Sequence, residues 1–161
     1  MKQPDFGSFF HCTTPTKIKY QLRFNANLFH DVVYLRSYIH DARFKIESIK
    51  HTRKRLIIPI ERDCWELGFD TPHGLITAES KLTLFPVEDF SLTMLDLPNQ
   101  QITGNDAENK FWISEIFICD DYYENHDDFH IVIKTINLRM EIHLKSGSPL
   151  VKLEDLTIPA I

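Results

Sequence analysis

The sequence predicts an all-β chain, mainly antiparallel, with one short helix, built as a β-sandwich or an open barrel. Three observations carry this. Ile, Val, Thr, Phe, Tyr and Trp supply 53 of the 161 residues and Ala only 5. Branched and aromatic side chains suit a pleated surface, and the best helix former is scarce. Leu138, Met140, Ile142 and Leu144 alternate with Arg139, Glu141, His143 and Lys145, which gives a strand one dry and one wet face. Polar turns separate several more such segments at short intervals, as in antiparallel sandwiches. The length suits a single domain over residues 1–161, with residues 1–17 as an N-terminal arm. A chain this long buries about 70% of its unfolded surface and needs no disulfide staples.

The elements follow in order. Pro4, Gly7 and Pro15 punctuate the arm, which Phe6, Phe9 and Phe10 would anchor. Residues 19–24 alternate as a half-buried strand. A helix follows, capped by Asn25 or Asn27, with Leu28, Val32, Leu35 and Ile39 at helical spacing and its end at His40-Asp41. From Ala42 the period returns to two. Phe44, Ile46 and Ser48 share one face and Leu56, Ile58 and Ile60 another, so the polar run Lys50 to Arg55 reads as the turn of a hairpin. Pro59 cannot donate to a ladder, which points to an edge strand or a bulge. Asp70 to Gly74 form a turn, strands follow at 75–85 and 89–96, and 98–109 is a loop. Further strands are expected at 111–119, 129–136, 138–145 and 150–158.

Several functional classes are disfavoured by what is missing. The five glycines stand apart, with neither G-x-G-x-x-G nor a P-loop, so the common nucleotide-binding α/β designs are not expected. No G-x-S-x-G elbow occurs, and Cys12, Cys64 and Cys119 lack the context of a catalytic thiol. They read as small buried hydrophobes. The opening residues hold no apolar signal core and no segment approaches the length of a membrane span, so a cytoplasmic location away from membranes is expected. The net charge of −5 divides into +7 over residues 1–62 and −12 over residues 63–161. That division marks a charged face, unless interleaved strands cancel it on folding.

Two runs of charge are the candidate sites. Asp120-Asp121-Tyr122-Tyr123-Glu124-Asn125-His126-Asp127-Asp128 concentrates carboxylates around two tyrosines. Its plain reading is a solvated hairpin turn. Its functional reading is a recognition surface for a basic protein, with Asp120, Asp121, Tyr122, Tyr123, Glu124, Asp127 and Asp128 as partner-binding residues, because charge steers and aromatic rings supply contact area. The run does not fit a calcium loop, having no central glycine. The second run, Lys45, Lys50, Arg53, Lys54 and Arg55, would neutralise phosphates of a nucleic acid. Its plain reading is an exposed turn kept soluble by charge, and the turn holds no aromatic ring on which a base could stack. The eight histidines show no converging zinc pattern. His30-Asp31 and His40-Asp41 fall about 80° apart on a helix, and His40-Asp41 suits a helix end, where the imidazole meets the negative dipole. No catalytic residues, metal ligands or cofactors are assigned.

The stretch Ile39-His40-Asp41-Ala42-Arg43-Phe44-Lys45-Ile46, followed by Arg55-Leu56-Ile57-Ile58-Pro59-Ile60, resembles a segment of small bacterial β-rich proteins of the polymorphic-toxin immunity type: an H-D-A element with a hairpin after it. The resemblance spans about 25 residues and implies a binding protein without catalytic residues. The leading expectation is therefore a non-enzymatic protein-binding module, an immunity-type protein that neutralises a basic partner. The alternatives are a nucleic-acid-binding β-domain using the basic hairpin 43–55, and a hydrolase or small-ligand-binding barrel whose site assembles only in three dimensions. A homodimer through edge strands is compatible with each.

Overall fold

The computed structural model describes residues 21–27, 31, 34–68, 74–95, 108–120, 128–145 and 149–157. Two antiparallel sheets face each other across one apolar core. The larger has the order β1 (Arg23–Ala26), β11 (Leu150–Asp155), β5 (Thr77–Phe85), β4 (Arg55–Asp63), β2 (Arg43–Phe44) and β7 (Phe111–Trp112), with β3 (Lys50–Thr52) also paired to β4. The smaller has the order β6 (Val87–Met94), β10 (Leu138–Lys145), β9 (Asp128–Lys134) and β8 (Glu115–Asp120). Among the described residues the sheets form no closed barrel, and the two-layer arrangement is that of a β-sandwich, as the sequence predicts.

Alternation sets which side chains meet in the middle. Leu56, Ile58 and Ile60 of β4, Leu82 and Leu84 of β5, and Val151 and Leu153 of β11 point inward from the large sheet. Ile131 and Ile133 of β9 and Leu138 to Leu144 at every second position of β10 point back at them. The helix α1 (Leu35–Ile39) adds Leu35 and Ile39 to the same core. It ends at His40, which leaves the helical conformation as expected of the His-Asp pair. No described helix is long and apolar enough to cross a membrane.

Five expectations need correction. Asn25 does not cap a helix; it lies in β1 opposite Lys152, because Phe24 and Ala26 complete the edge of the large sheet. The strand from Ala42 stops at Phe44, and Ile46–Ser48 form a 3-10 turn with the Ser48 hydroxyl donating to the Lys45 carbonyl at 2.7 Å. The hairpin turn is consequently tighter than Lys50 to Arg55: Thr52 pairs with Arg55 around Arg53-Lys54. Pro59 sits in an interior strand without a bulge. One flank of β4 is shared by β3, paired up to Ile57, and β2, paired at Glu61, with the 3-10 turn between them. Pro59 lies opposite that gap, where its missing N–H is not needed. Finally, 111–119 is not one strand. Phe111–Trp112 belongs to the large sheet and Glu115–Asp120 to the small one, and the chain crosses between layers at Ile113-Ser114.

One end of the core is polar. The Arg62 side chain is 0% exposed, and its guanidinium donates from Nε and Nη2 to the two carboxylate oxygens of Asp155, both at 2.8 Å. Asp155 also accepts from the Ser80 hydroxyl at 2.6 Å and the Leu22 N–H at 2.8 Å. Glu66 takes the outer side of the guanidinium at 2.8 Å. Burial alone would raise the Asp155 carboxyl, but the bonds from Arg62, Ser80 and Leu22 hold it below its ordinary value. Burial likewise opposes the charge on Arg62, yet Asp155 and Glu66 keep it firmly protonated. Cys64, next in chain to this cluster, is buried, and desolvation pushes its thiol up to about 11 against the pull of Arg62. It is thus the buried hydrophobe expected; Cys12 lies outside the described residues.

Four outcomes are expected. Asp155→Asn leaves a buried guanidinium that cannot shed its proton, and should cost about 3–5 kcal/mol in urea unfolding. Replacing Arg62 and Asp155 together by apolar residues of similar volume should cost clearly less, since neither charge is then stranded. Because the folded Asp155 pKa is depressed, its stabilisation is present above the unfolded value of about 3.9 and disappears as pH falls through the folded value. Acid titration of stability should therefore be shallower in Asp155→Asn than in the parent below about pH 4. Peptide mapping after alkylation at pH 8 should find Cys64 modified only once denaturant is present.

Candidate functional site

The crossover at Ile113-Ser114 forms a ridge stitched to both layers. On one side the Ile113 N–H donates to the Ala42 carbonyl at 2.8 Å, and the Asp41 N–H donates back to the Ile113 carbonyl at 3.2 Å. The H-D-A segment is thus the strut that holds the ridge to the large sheet. Asp41 takes a left-handed conformation there, φ 62°, which Asp tolerates better than most residues. Its carboxylate meets His40 Nδ1 at 2.8 Å, and the Trp65 indole N–H donates to the His40 carbonyl at 3.2 Å. On the other side the Ser114 N–H and hydroxyl both donate to the Lys134 carbonyl, at 2.9 and 3.1 Å. Lys134 ends β9, and the turn after it is locked by the Thr135 hydroxyl, which accepts from the Leu138 N–H at 3.0 Å and donates to the Asn137 side-chain oxygen at 3.2 Å.

This framework leaves three large apolar side chains outside. Trp112 is 38% exposed, Phe117 42% and Ile136, at the tip of the locked turn, 55%. They border two open hollows with Ile113 and Ser114 in common. One, of about 430 Å³, is lined by Asp41, Trp112 and Ile136; the other, of about 210 Å³, by Arg36, His40, Glu115 and Phe117. Both rings are braced by cations. The Arg43 guanidinium lies 5.1 Å from the Trp112 ring centre, fixed by Glu61 at 2.8 Å and Asp63 at 2.9 Å, and Lys134 Nζ lies 4.7 Å from the Phe117 ring centre. The bracing fixes the orientation of both rings.

Neither Trp112, Phe117 nor Ile136 stands out in the sequence, where each reads as part of an apolar strand. One signal was available. Ile113 and Ile116 are both buried but three residues apart, which breaks a period of two and turns the side chains on either side of the break outward.

The basic run is brought together in part. Arg53, Lys54 and Arg55 line a hollow of about 470 Å³ with Thr52 and Phe85, and Lys50 is exposed beside them on β3. Lys45, ahead of the 3-10 turn, does not line that hollow. The turn itself has no aromatic residue, but β5 delivers Phe85 to it, 5.9 Å from the Arg55 guanidinium. The acidic run lies largely outside the described residues: Asp121, Tyr122, Tyr123, Glu124 and Asp127 all do. Asp120 and Asp128 end and begin the paired strands β8 and β9, so the run connects a hairpin.

The outer face of the small sheet carries a second cluster. His130 and His143 are cross-strand neighbours with rings stacked 3.9 Å apart at 14°. Glu141 is gripped by Arg139 at 2.6 Å, which lowers its carboxyl, and sits 3.9 Å from His130 Nε2. Parallel stacked rings do not converge on a point, and no group of three or more His, Cys, Asp or Glu suited to a metal ion occurs among the described residues. No family model, no curated protein and no solved structure matches this chain.

Proposed function

We propose that the chain is a non-enzymatic protein-binding module, of the immunity type that neutralises a partner by covering it. The observation that carries this reading is the exposed trio Trp112, Phe117 and Ile136 around a ridge that the H-D-A segment itself fixes. Apolar side chains rimmed by polar ones mark interaction surfaces, and tryptophan is enriched among the energetic anchors of interfaces. Arg36, His40, Asp41 and Glu115 supply the polar rim. The segment that resembles immunity-type proteins is thus the one that shapes the patch.

The acidic run extends the same reading. It begins at the far end of β8, about 17 Å from the ridge at 3.3–3.4 Å per residue. A standard interface of about 800 Å² per partner is wider than that, so one partner can touch both. Carboxylates at that distance would speed the approach of a basic protein, while the ridge sets how long it stays.

The test uses the tagged full chain as bait in an extract of its own host, followed by purification of the captured protein and kinetic measurement on a biosensor. Trp112→Ala and the exposed Ile136→Asp should each raise the dissociation rate, with about 30-fold weaker binding for the tryptophan variant. Changing Asp120, Asp121, Asp127 and Asp128 to Asn should instead lower the association rate at low salt. Absence of a stoichiometric companion, or unchanged binding by both ridge variants with intact thermal unfolding, rejects the proposal.

A further inference from the structure

The geometry points to a second, separate site: the hairpin end of the large sheet's outer face binds single-stranded nucleic acid, with cations holding phosphates and Phe85 stacking a base. Registry gives the layout. Lys50 pairs with Ile57, Ile57 with Thr83, Thr83 with Lys152 and Lys152 with Asn25. One rung along, Pro59, Lys81, Glu154 and Arg23 are in line. Paired residues share a face, so Lys50, Arg55, Lys81, Lys152 and Arg23 all lie on the outer side, with Glu154 as their single acid over these rungs. Five strands at about 4.8 Å spacing spread this row over about 19 Å.

The sorting of charge between sheets makes the face basic although the protein is acidic. The small sheet comes wholly from residues 87–145, and every described strand of the basic first 62 residues lies in the large sheet. The sequence division of charge therefore survives folding in part. The acids of the large sheet's outer face gather farther along it, at Glu61, Asp63 and Glu79, where Arg43 and Lys110 engage Glu61 and Asp63. At about 0.1 M salt a charge is screened beyond about 10 Å, so a phosphate at the hairpin end feels the local cations. Lys50, Arg53, Lys54 and Arg55 have no acidic partner among the described residues.

Two features suit an unpaired strand. Phe85 is 39% exposed at the edge of the 470 Å³ hollow and has a guanidinium beside it, the combination of ring and cation on which a base stacks. The hollow is open and shallow, as a flexible backbone needs. Arg53 adds an independent sign. It holds φ 53° in a two-residue hairpin turn, a conformation that favours Gly or Asn. A long cation at a strained turn position is the kind of outlier from which a functional role is argued.

The experiment is fluorescence anisotropy with a labelled 20-residue oligothymidylate and the full chain. Engagement of about five phosphates predicts an affinity loss of about 100-fold between 50 and 200 mM salt. Phe85→Ala should weaken binding roughly tenfold, and Lys50→Glu with Lys54→Glu should abolish it at 200 mM salt. Arg53→Gly should leave thermal stability equal or higher while weakening binding, which separates the site from the fold, and Arg139→Ala on the other sheet should leave the oligonucleotide affinity unchanged. The inference fails if the oligonucleotide does not bind at 50 mM salt. It fails equally if polyglutamate or duplex DNA binds as tightly, or if Phe85→Ala and Arg53→Gly leave the affinity unchanged.

Discussion

A guanidinium without water around it must have every donor answered, and Arg62 sets that requirement for the whole large sheet. Its partner Asp155 belongs to β11, the Ser80 hydroxyl that completes the carboxylate belongs to β5, and the Leu22 N–H that joins them leads into β1. Four segments are thereby fixed in register by one cluster. A slip of one residue in any strand would turn Arg62, Ser80 or Asp155 to the other face and strand a charge in the core. Apolar packing between Leu56, Ile58, Leu82 and Leu153 supplies the bulk of the cohesion but would accept more than one alignment. The ionic cluster accepts one.

The same division between cohesion and positioning recurs at the ridge. Ile113 is buried and makes the crossover stick, while hydrogen bonds to Ala42, Asp41 and Lys134 decide where it sits. Trp112 and Phe117 flank the crossover and inherit its rigidity. Their braces, Arg43 and Lys134, each sit on the strand beside the ring's own, in the large and the small sheet respectively, so each ring is oriented by strand pairing within its own layer. The H-D-A segment ends a helix, takes a left-handed turn at Asp41 and ties down the crossover through backbone hydrogen bonds.

Much of this is legible in the chain where burial follows a regular period. The run from Leu138 to Lys145 matches its strand residue for residue, and the turn at Arg53-Lys54 falls inside the polar run that signals it. What is not legible depends on partners distant in sequence. Pro59 looks like an edge marker until the split between β2 and β3 is known. Ser80 and Asp155 look like ordinary surface residues until Arg62 is placed among them. Phe85 reads as the end of a strand, and only the pairing of β4 with β5 carries it to the basic turn. Trp112 and Phe117 share their composition with core residues, and only the change of sheet at Ile113-Ser114 separates the two groups.

The Arg62–Asp155 pair has one more consequence, for the newborn chain. The two residues are 93 positions apart, which corresponds to about 5 to 19 s of synthesis at 5–20 residues per second. Throughout that interval Arg62 has Glu66, four residues on, beside it, but lacks the buried carboxylate that completes the cluster. β11 lies between β1 and β5 in the large sheet, so the sheet becomes continuous only when β11 emerges.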